Sequence, residues 1–152
     1  MIVRLSLTEL KHDILVKSEH EVDGLEPEKK YALQIGTDKM DMIERNLLRA
    51  SSDVTVKLRR FMTPDYTALG NNTRALPDNF EWTLSISERR TGCTVQALAD
   101  ACHGYIVNQV LMLYYENKKE EELAKYHGAV ANDDMKTIEQ LIYSKQPPIF
   151  SE

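Results

Sequence analysis

The side chains best suited to chemistry in this sequence are its four histidines and two cysteines. His12 and His20 are separated by more than two turns of a helix. Cys102 and His103 are adjacent, so on a helix their side chains point about 100° apart. Neither pair has the i, i+4 or C-x-x-C spacing that a zinc site needs. The spacing therefore predicts no metal site, and it favours His103 as a hydrogen-bonded packing residue.

The sequence supports nucleophilic, acid–base and nucleotide-binding sites no better than it supports a metal site. Cys93 immediately precedes Thr94, which is expected to begin a helix whose dipole favours a thiolate, but no histidine is near in sequence. The acidic runs 120–122 and 133–134 are typical of helix starts rather than of acid–base pairs. Neither the G-x-x-x-x-G-K nor the G-x-G-x-x-G string occurs, which excludes nucleotide binding by those loops. We therefore predict no catalytic residue and no cofactor.

Charge and hydropathy restrict the partners. The net charge of -5 argues against a general nucleic-acid binder, which needs a basic surface. A local basic cluster is interpreted as solvated or interface charge; it comprises Lys57, Arg59 and Arg60, with Arg89 and Arg90 further on. No apolar run approaches the roughly 20 residues that span a membrane. The first residues turn polar too soon for a signal peptide, and two cysteines expected to be unpaired suit a reducing cytosol. An intracellular protein without a membrane contact is the expectation.

A long apolar helix dominates the predicted fold. Thr94 is expected to cap a helix over 94–116 that is apolar nearly all round, as helices buried between neighbours are. The charged segment 116–122 separates it from a closing helical segment that stops at Pro147–Pro148. The apolar residues of that segment are Leu123, Tyr126, Val130, Met135, Ile138, Leu141 and Ile142. Gly128 and the polar residues 132–134 either break this segment into two helices or bend it.

The N-terminal half is predicted to be largely helical. Ser6 and Glu9 match a capping box, which indicates a helix over 7–17. An edge strand is the alternative, since Val3, Leu5 and Leu7 alternate with polar residues, and a strand up to Leu5 followed by the helix would combine the two. The segment 26–35 has Pro27 in position for a first helical turn, although a strand remains open there.

A second N-terminal helix is predicted from the regular spacing of apolar residues. Gly36 suits the left-handed position after the end of the preceding helical segment, and either Thr37 or Asp38 is expected to cap the second helix. Apolar residues then recur at spacings of three and four over 38–62, the pattern of an amphipathic helix.

The surest strand is 80–87, where apolar and polar residues alternate. It follows a long loop, 63–79, of a kind that is usually functional or partly disordered. Its pairing partner is left open among residues 1–5, residues 31–35, the long loop and a neighbouring subunit. The sequence thus predicts one mainly α domain over 1–152, with four to five helices bundled around a buried central helix and one or two short strands.

Large aromatic and aliphatic side chains of the strand and the central helix have two interpretations. They are either core residues or, since such rings concentrate at interfaces, a subunit contact. The candidate interface residues are Phe80, Trp82, Leu84, Ile86, Tyr114 and Tyr115.

Three strings carry a family resemblance: W-T-L-S-I-S-E-R-R from Trp82, A-L-A-D-A-C-H-G-Y-I-V-N from Ala97, and L-I-Y-S-K-Q-P-P from Leu141. Over 82–148 the chain resembles a family of proteins encoded in prophage-like regions of Bacteroides-type bacteria. The order of its elements is similar to that of small helical head–tail connector proteins of tailed phages. The match is weaker in the N-terminal half, where it depends mainly on Gly36 between two helices.

That resemblance implies a non-enzymatic structural subunit. It implies self-association into a ring or other oligomer, contact with other virion proteins such as the portal, and a location in the bacterial host's cytoplasm or in the virion. Direct contact with nucleic acid is not expected. The alternative is a small intracellular binding or regulatory module.

Overall fold

The described part of the chain is an assembly of helices with a small two-stranded sheet at one side. In this computed structural model it comprises residues 1–63, 76–86 and 94–143. The elements in chain order are β1 (Ile2–Ser6), α1 (Leu7–Val22), α2 (Pro27–Leu33), α3 (Met40–Leu58), β2 (Asn79–Thr83), α4 (Val95–Asn117) and α5 (Glu121–Tyr143). Single 3₁₀ turns, Thr37–Lys39 and Arg59–Phe61, flank α3. The predicted mainly helical fold around a buried central helix is confirmed. Most of the predicted loop 63–79 lies outside the described residues.

The N-terminal strand runs directly into the first helix, as predicted. Ser6 ends β1 and caps α1, since its Oγ accepts a hydrogen bond from the backbone N–H of Glu9 at 3.4 Å. The helix is longer than expected and continues to Val22. Leu10 and Ile14 lie one turn apart on its buried face and are fully covered.

The two strands pair with each other in an antiparallel sheet. Val3 lies opposite Trp82 and Leu5 opposite Phe80, so that both pairs point to the helices. Of the partners left open by the sequence, the N-terminal strand is therefore the observed one. The second strand is shorter than predicted: β2 ends at Thr83, although Leu84 still forms a bridge with Met62.

The segment after α1 is helical, which resolves the choice between helix and strand over 26–35, and Pro27 is its first residue. The left-handed conformation predicted for Gly36 is wrong, since its φ is -101°. The reason is that side chains, instead of a left-handed glycine turn, satisfy the carbonyls at the end of α2. Tyr114 Oη donates to the Leu33 carbonyl at 2.7 Å, and Lys39 Nζ donates to the Ala32 and Gln34 carbonyls at 2.6 and 2.8 Å.

The third helix has the predicted amphipathic stripe, although its predicted cap is wrong. Ile43, Leu47, Val54 and Leu58 are buried along one face of α3. Neither Thr37 nor Asp38 caps it with a side chain, because a 3₁₀ turn leads into the helix from Lys39.

The last two helices form an antiparallel hairpin with the most extensive helix–helix contact of the described chain. Thr94 caps α4 as predicted, its Oγ1 accepting from the N–H of Ala97 at 3.1 Å. Two glycines allow close approach. A Cβ at Gly104 would lie 3.0 Å from Asp134 Oδ2, and one at Gly128 would lie 3.1 Å from Met112 Sδ. Since α5 is continuous through Gly128, that glycine serves packing and does not break the helix.

The turn between α4 and α5 closes with a residue in a strained conformation. Lys119 has a φ of 60°, in the left-handed region that normally selects glycine. The Glu120 N–H bonds to the Tyr115 carbonyl at 2.9 Å and the Lys119 N–H to the Glu116 carbonyl at 3.1 Å, the two bonds of a Schellman motif.

Lys119→Gly is therefore expected to stabilise the protein by about 1 kcal/mol, since it removes the left-handed penalty of a residue with a Cβ. Thermal or denaturant unfolding would measure this. Lys118→Gly is the matched control, because Lys118 has a φ of -85° and a glycine there should lower stability. Equal effects of the two substitutions would contradict the explanation.

Candidate functional site

The six predicted interface residues lie in the core of the single chain. Phe80, Trp82, Leu84 and Ile86 face the helices from the sheet side, and each is 7% exposed or less. Tyr114 and Tyr115 on α4 are fully buried. β1 lies beside β2, and α4 packs on the sheet, so that these side chains are covered without a second subunit. The structure therefore favours the core interpretation, and the surface of one chain does not offer these side chains to a neighbour.

His103 lines a surface cleft and is hydrogen-bonded, as predicted. Its Nε2 lies 2.6 Å from Asp13 Oδ2, joining α4 to α1. The cleft has a volume of about 440 Å³. It is lined by Arg4, Leu5, Ser6, Glu9, Asp13, Gln96, Ala99, Asp100 and His103. A carboxylate–imidazole pair can support proton transfer, but Cys102 is fully buried and does not line the cleft. The two adjacent residues thus point to different surroundings, as their spacing predicted, and Cys93 lies outside the described residues.

The cleft carries an excess of acidic groups. Glu9, Asp13 and Asp100 contribute three carboxylates to its lining. Arg4 is already paired with Glu81, outside the lining, with 2.9 Å between Nε and Oε2. We call this the acidic cleft, and a cationic group is the chemistry that it suits.

A second surface combines exposed apolar and basic side chains where α3 ends. Val56 is 72% exposed, and Arg59 and Arg60 follow it at the i+3 and i+4 positions, both exposed. Tyr143, 52% exposed, joins them through its edge-to-face contact with Phe61, whose ring centroid is 5.4 Å away. We call these five residues the α3-end patch. Neither arginine forms an ion pair with another residue in the described ranges.

Sequence reasoning missed a buried polar cluster that joins α1, α4 and α5. His127 on α5 is only 1% exposed. Its Nε2 lies 2.5 Å from Glu21 Oε1 on α1, and its Nδ1 lies 3.0 Å from Asn108 Oδ1 on α4. Asn108 Nδ2 in turn donates to the Gly104 carbonyl at 2.8 Å.

The spacing of small residues around His127 was the available signal. Ala124, His127 and Ala131 are buried at spacings of three and four, and they form the core face of α5. The predicted face is right in the second half of α5, where Ile138 and Ile142 are buried, but not in the first half, where Tyr126 is 61% exposed. In the first half of α5 the prediction favoured large residues, whereas the close approach of α4 and α5 there selects small ones.

Burial and charge shift the acidities within this cluster. Burial acts to raise the pKa of Glu21, but the hydrogen bond and charge of His127 and the charge of Lys17 outweigh it, so that the pKa lies below its usual value. Burial raises the pKa of Asp134, against the hydrogen bond that it accepts from Asn108. Burial and then the neighbouring Glu21 carboxylate raise the pKa of Tyr115, which keeps its hydroxyl protonated.

Comparison with known protein families, curated proteins and solved structures gives no match for this chain. Across residues 1–63, 76–86 and 94–143, no group of three or more histidine, cysteine or acidic side chains is arranged to hold a metal ion. None of the helices described above is both long enough and apolar enough to cross a membrane.

Proposed function

We propose that this chain is a non-enzymatic structural protein that acts through protein–protein contacts, as a subunit of the phage or prophage head–tail connector type. The observation that carries the proposal is the α3-end patch. Arginine and tyrosine are enriched at protein interfaces, and the patch exposes Arg59, Arg60 and Tyr143 beside an exposed valine. The protein acts in the cytoplasm of its bacterial host and in the assembled virion.

A second copy of the chain is the proposed occupant of the patch. The acidic cleft supplies the exposed carboxylates of Glu9 and Asp100, beside Asp13, which already pairs with His103. The patch supplies two arginines without an intramolecular ion pair in the described chain. The cleft is lined by β1, α1 and α4, whereas the patch belongs to the ends of α3 and α5. Since different surfaces meet, the contact is heterologous, and repeating it produces either a closed ring or an open filament. Portal-type virion proteins are the further partners.

Light scattering across a concentration series tests self-association. The wild-type chain is expected to form a concentration-dependent oligomer that weakens as salt is added, because exposed charges are screened. Arg59→Glu/Arg60→Glu is expected to shift the mass to that of the monomer. The matched control is Lys125→Glu/Lys136→Glu, which changes the net charge equally at two exposed α5 positions and should still associate.

A charge exchange tests the pairing itself. Glu9→Lys/Asp100→Lys should also be monomeric alone, since both carboxylates are exposed in the cleft. Mixing it with Arg59→Glu/Arg60→Glu should restore the oligomer, with the two variants alternating, because the reversed surfaces pair with each other and the unchanged surfaces pair as in the wild type. A wild-type oligomer that neither variant disturbs would place the contact elsewhere. A wild-type monomer at every concentration would contradict self-association and favour the small binding or regulatory module.

A further inference from the structure

The hydrogen-bond partners around Asn108 fix the orientation of its side-chain amide. The Nδ2 group faces two acceptors, the Gly104 carbonyl at 2.8 Å and Asp134 Oδ2 at 3.4 Å. Rotating the amide would place its oxygen against both acceptors, so this orientation is the one that satisfies the group. The Oδ1 atom, which has no proton to give, therefore faces His127 Nδ1 at 3.0 Å.

Both ring nitrogens of His127 consequently face acceptors. Nδ1 must donate to Asn108 Oδ1, and Nε2 must donate to the Glu21 carboxylate at 2.5 Å. A neutral imidazole carries a single N–H and can make only one of these bonds, whereas an imidazolium carries two. We propose that His127 is held as a buried imidazolium and acts as a proton-dependent latch that fastens α1 to the α4–α5 hairpin.

Charges on α1 and α5 surround the latch. On α1, Glu21 pairs with the ring, and Lys17 opposes its positive charge from the vicinity of Glu21 and Asp134. On α5, Asp134 shares Asn108 with the ring and supports the positive charge.

Aromatic residues cover the ring of His127. Tyr115 on α4 stacks on it, with the two planes 18° apart, and Tyr126 on α5 makes an edge contact with it. Aromatic faces are a favourable surrounding for a cation.

The consequence is a pH response of one sign. While His127 is protonated, both hydrogen bonds form and α1 is held to the hairpin. As the pH rises and the ring loses a proton, one buried nitrogen faces an acceptor without a hydrogen between them, which weakens the attachment of α1. This inference does not depend on the proposed assembly function.

Nitrogen-15 NMR of the histidine rings tests the protonation state in the intact wild-type chain. At neutral pH both nitrogens of His127 are expected to resonate as protonated nitrogens with slowly exchanging hydrogens. The exposed His12 and His20 serve as internal references in the same sample. A single protonated nitrogen on His127 at neutral pH would overturn the proposal.

Hydrogen exchange tests the latch. Across the pH range in which the His127 resonances themselves titrate, the protection of the Leu10 and Ile14 amides in α1 should fall at least about tenfold, the effect of losing one buried hydrogen bond. Intrinsic exchange rates are corrected for pH, and the Leu47 and Val54 amides in α3 provide the comparison. Protection of α1 that stays constant relative to α3 through that titration would show that the ring's proton does not hold the helix.

Discussion

Trp82→Ala is expected to lower the free energy of unfolding by about 4 kcal/mol, enough to unfold much of a marginally stable domain. The indole is 3% exposed and lies on the inner face of the sheet, opposite Val3. Its Nε1 also donates to Thr55 Oγ1 on α3 at 2.9 Å, so that one side chain fastens the sheet to the helices by packing and by a hydrogen bond. Denaturant unfolding followed by circular dichroism measures the loss.

A second substitution isolates the hydrogen bond of Trp82, and a third serves as a control for the loss of an aromatic ring. Thr55→Val keeps the shape but leaves the indole N–H without its acceptor, at a cost of about 1–3 kcal/mol. Tyr31→Ala, at an aromatic residue that is 82% exposed, should change stability by less than about 0.5 kcal/mol. If Trp82→Ala instead left folding intact and removed self-association alone, Trp82 would be an interface residue and its core assignment would be wrong.

Glu21→Gln is expected to destabilise the protein at neutral pH by about 2–3 kcal/mol, because it removes the charge that compensates His127 while preserving the shape of the side chain. The Glu21 side chain is 19% exposed and that of His127 is 1% exposed, so solvent replaces little of the lost interaction. Unfolding at a series of pH values measures both the loss and its pH dependence.

The pH dependence has a definite sign. Because the pKa of Glu21 is lower in the folded state than its usual 4.5, its contribution is complete above that value and is lost as the pH falls through the lowered pKa. Glu21→Gln should therefore flatten the acid limb of the stability curve. Glu19→Gln, at an exposed position two residues earlier, should leave the curve close to that of the wild type. An unchanged acid limb in Glu21→Gln would show that the pair does not contribute to folding.

The amino-acid sequence by itself determined the features that depend on neighbours along the chain. The caps at Ser6 and Thr94 were predicted because each satisfies a backbone N–H three residues later. The stripe of α3 and the all-round apolar surface of α4 were read from periodicity, which reports burial without a partner being known. Cys102 and His103 point to different surroundings because helical geometry separates adjacent side chains.

Only the tertiary structure decided which surfaces are covered and which polar groups meet. The apolar residues of β2 could line either a core or an interface. The pairing of β2 with β1 placed them in the core. At the Arg4–Glu81 contact the two strands are 77 residues apart in the sequence. His127 and Glu21 are 106 residues apart, so no local pattern relates them. Gly36 is extended because Tyr114, 81 residues from Leu33, covers the end of α2 together with the nearby Lys39. Local rules fix the ends and faces of helices, whereas the partners of those faces are set by packing between segments that the sequence does not bring together.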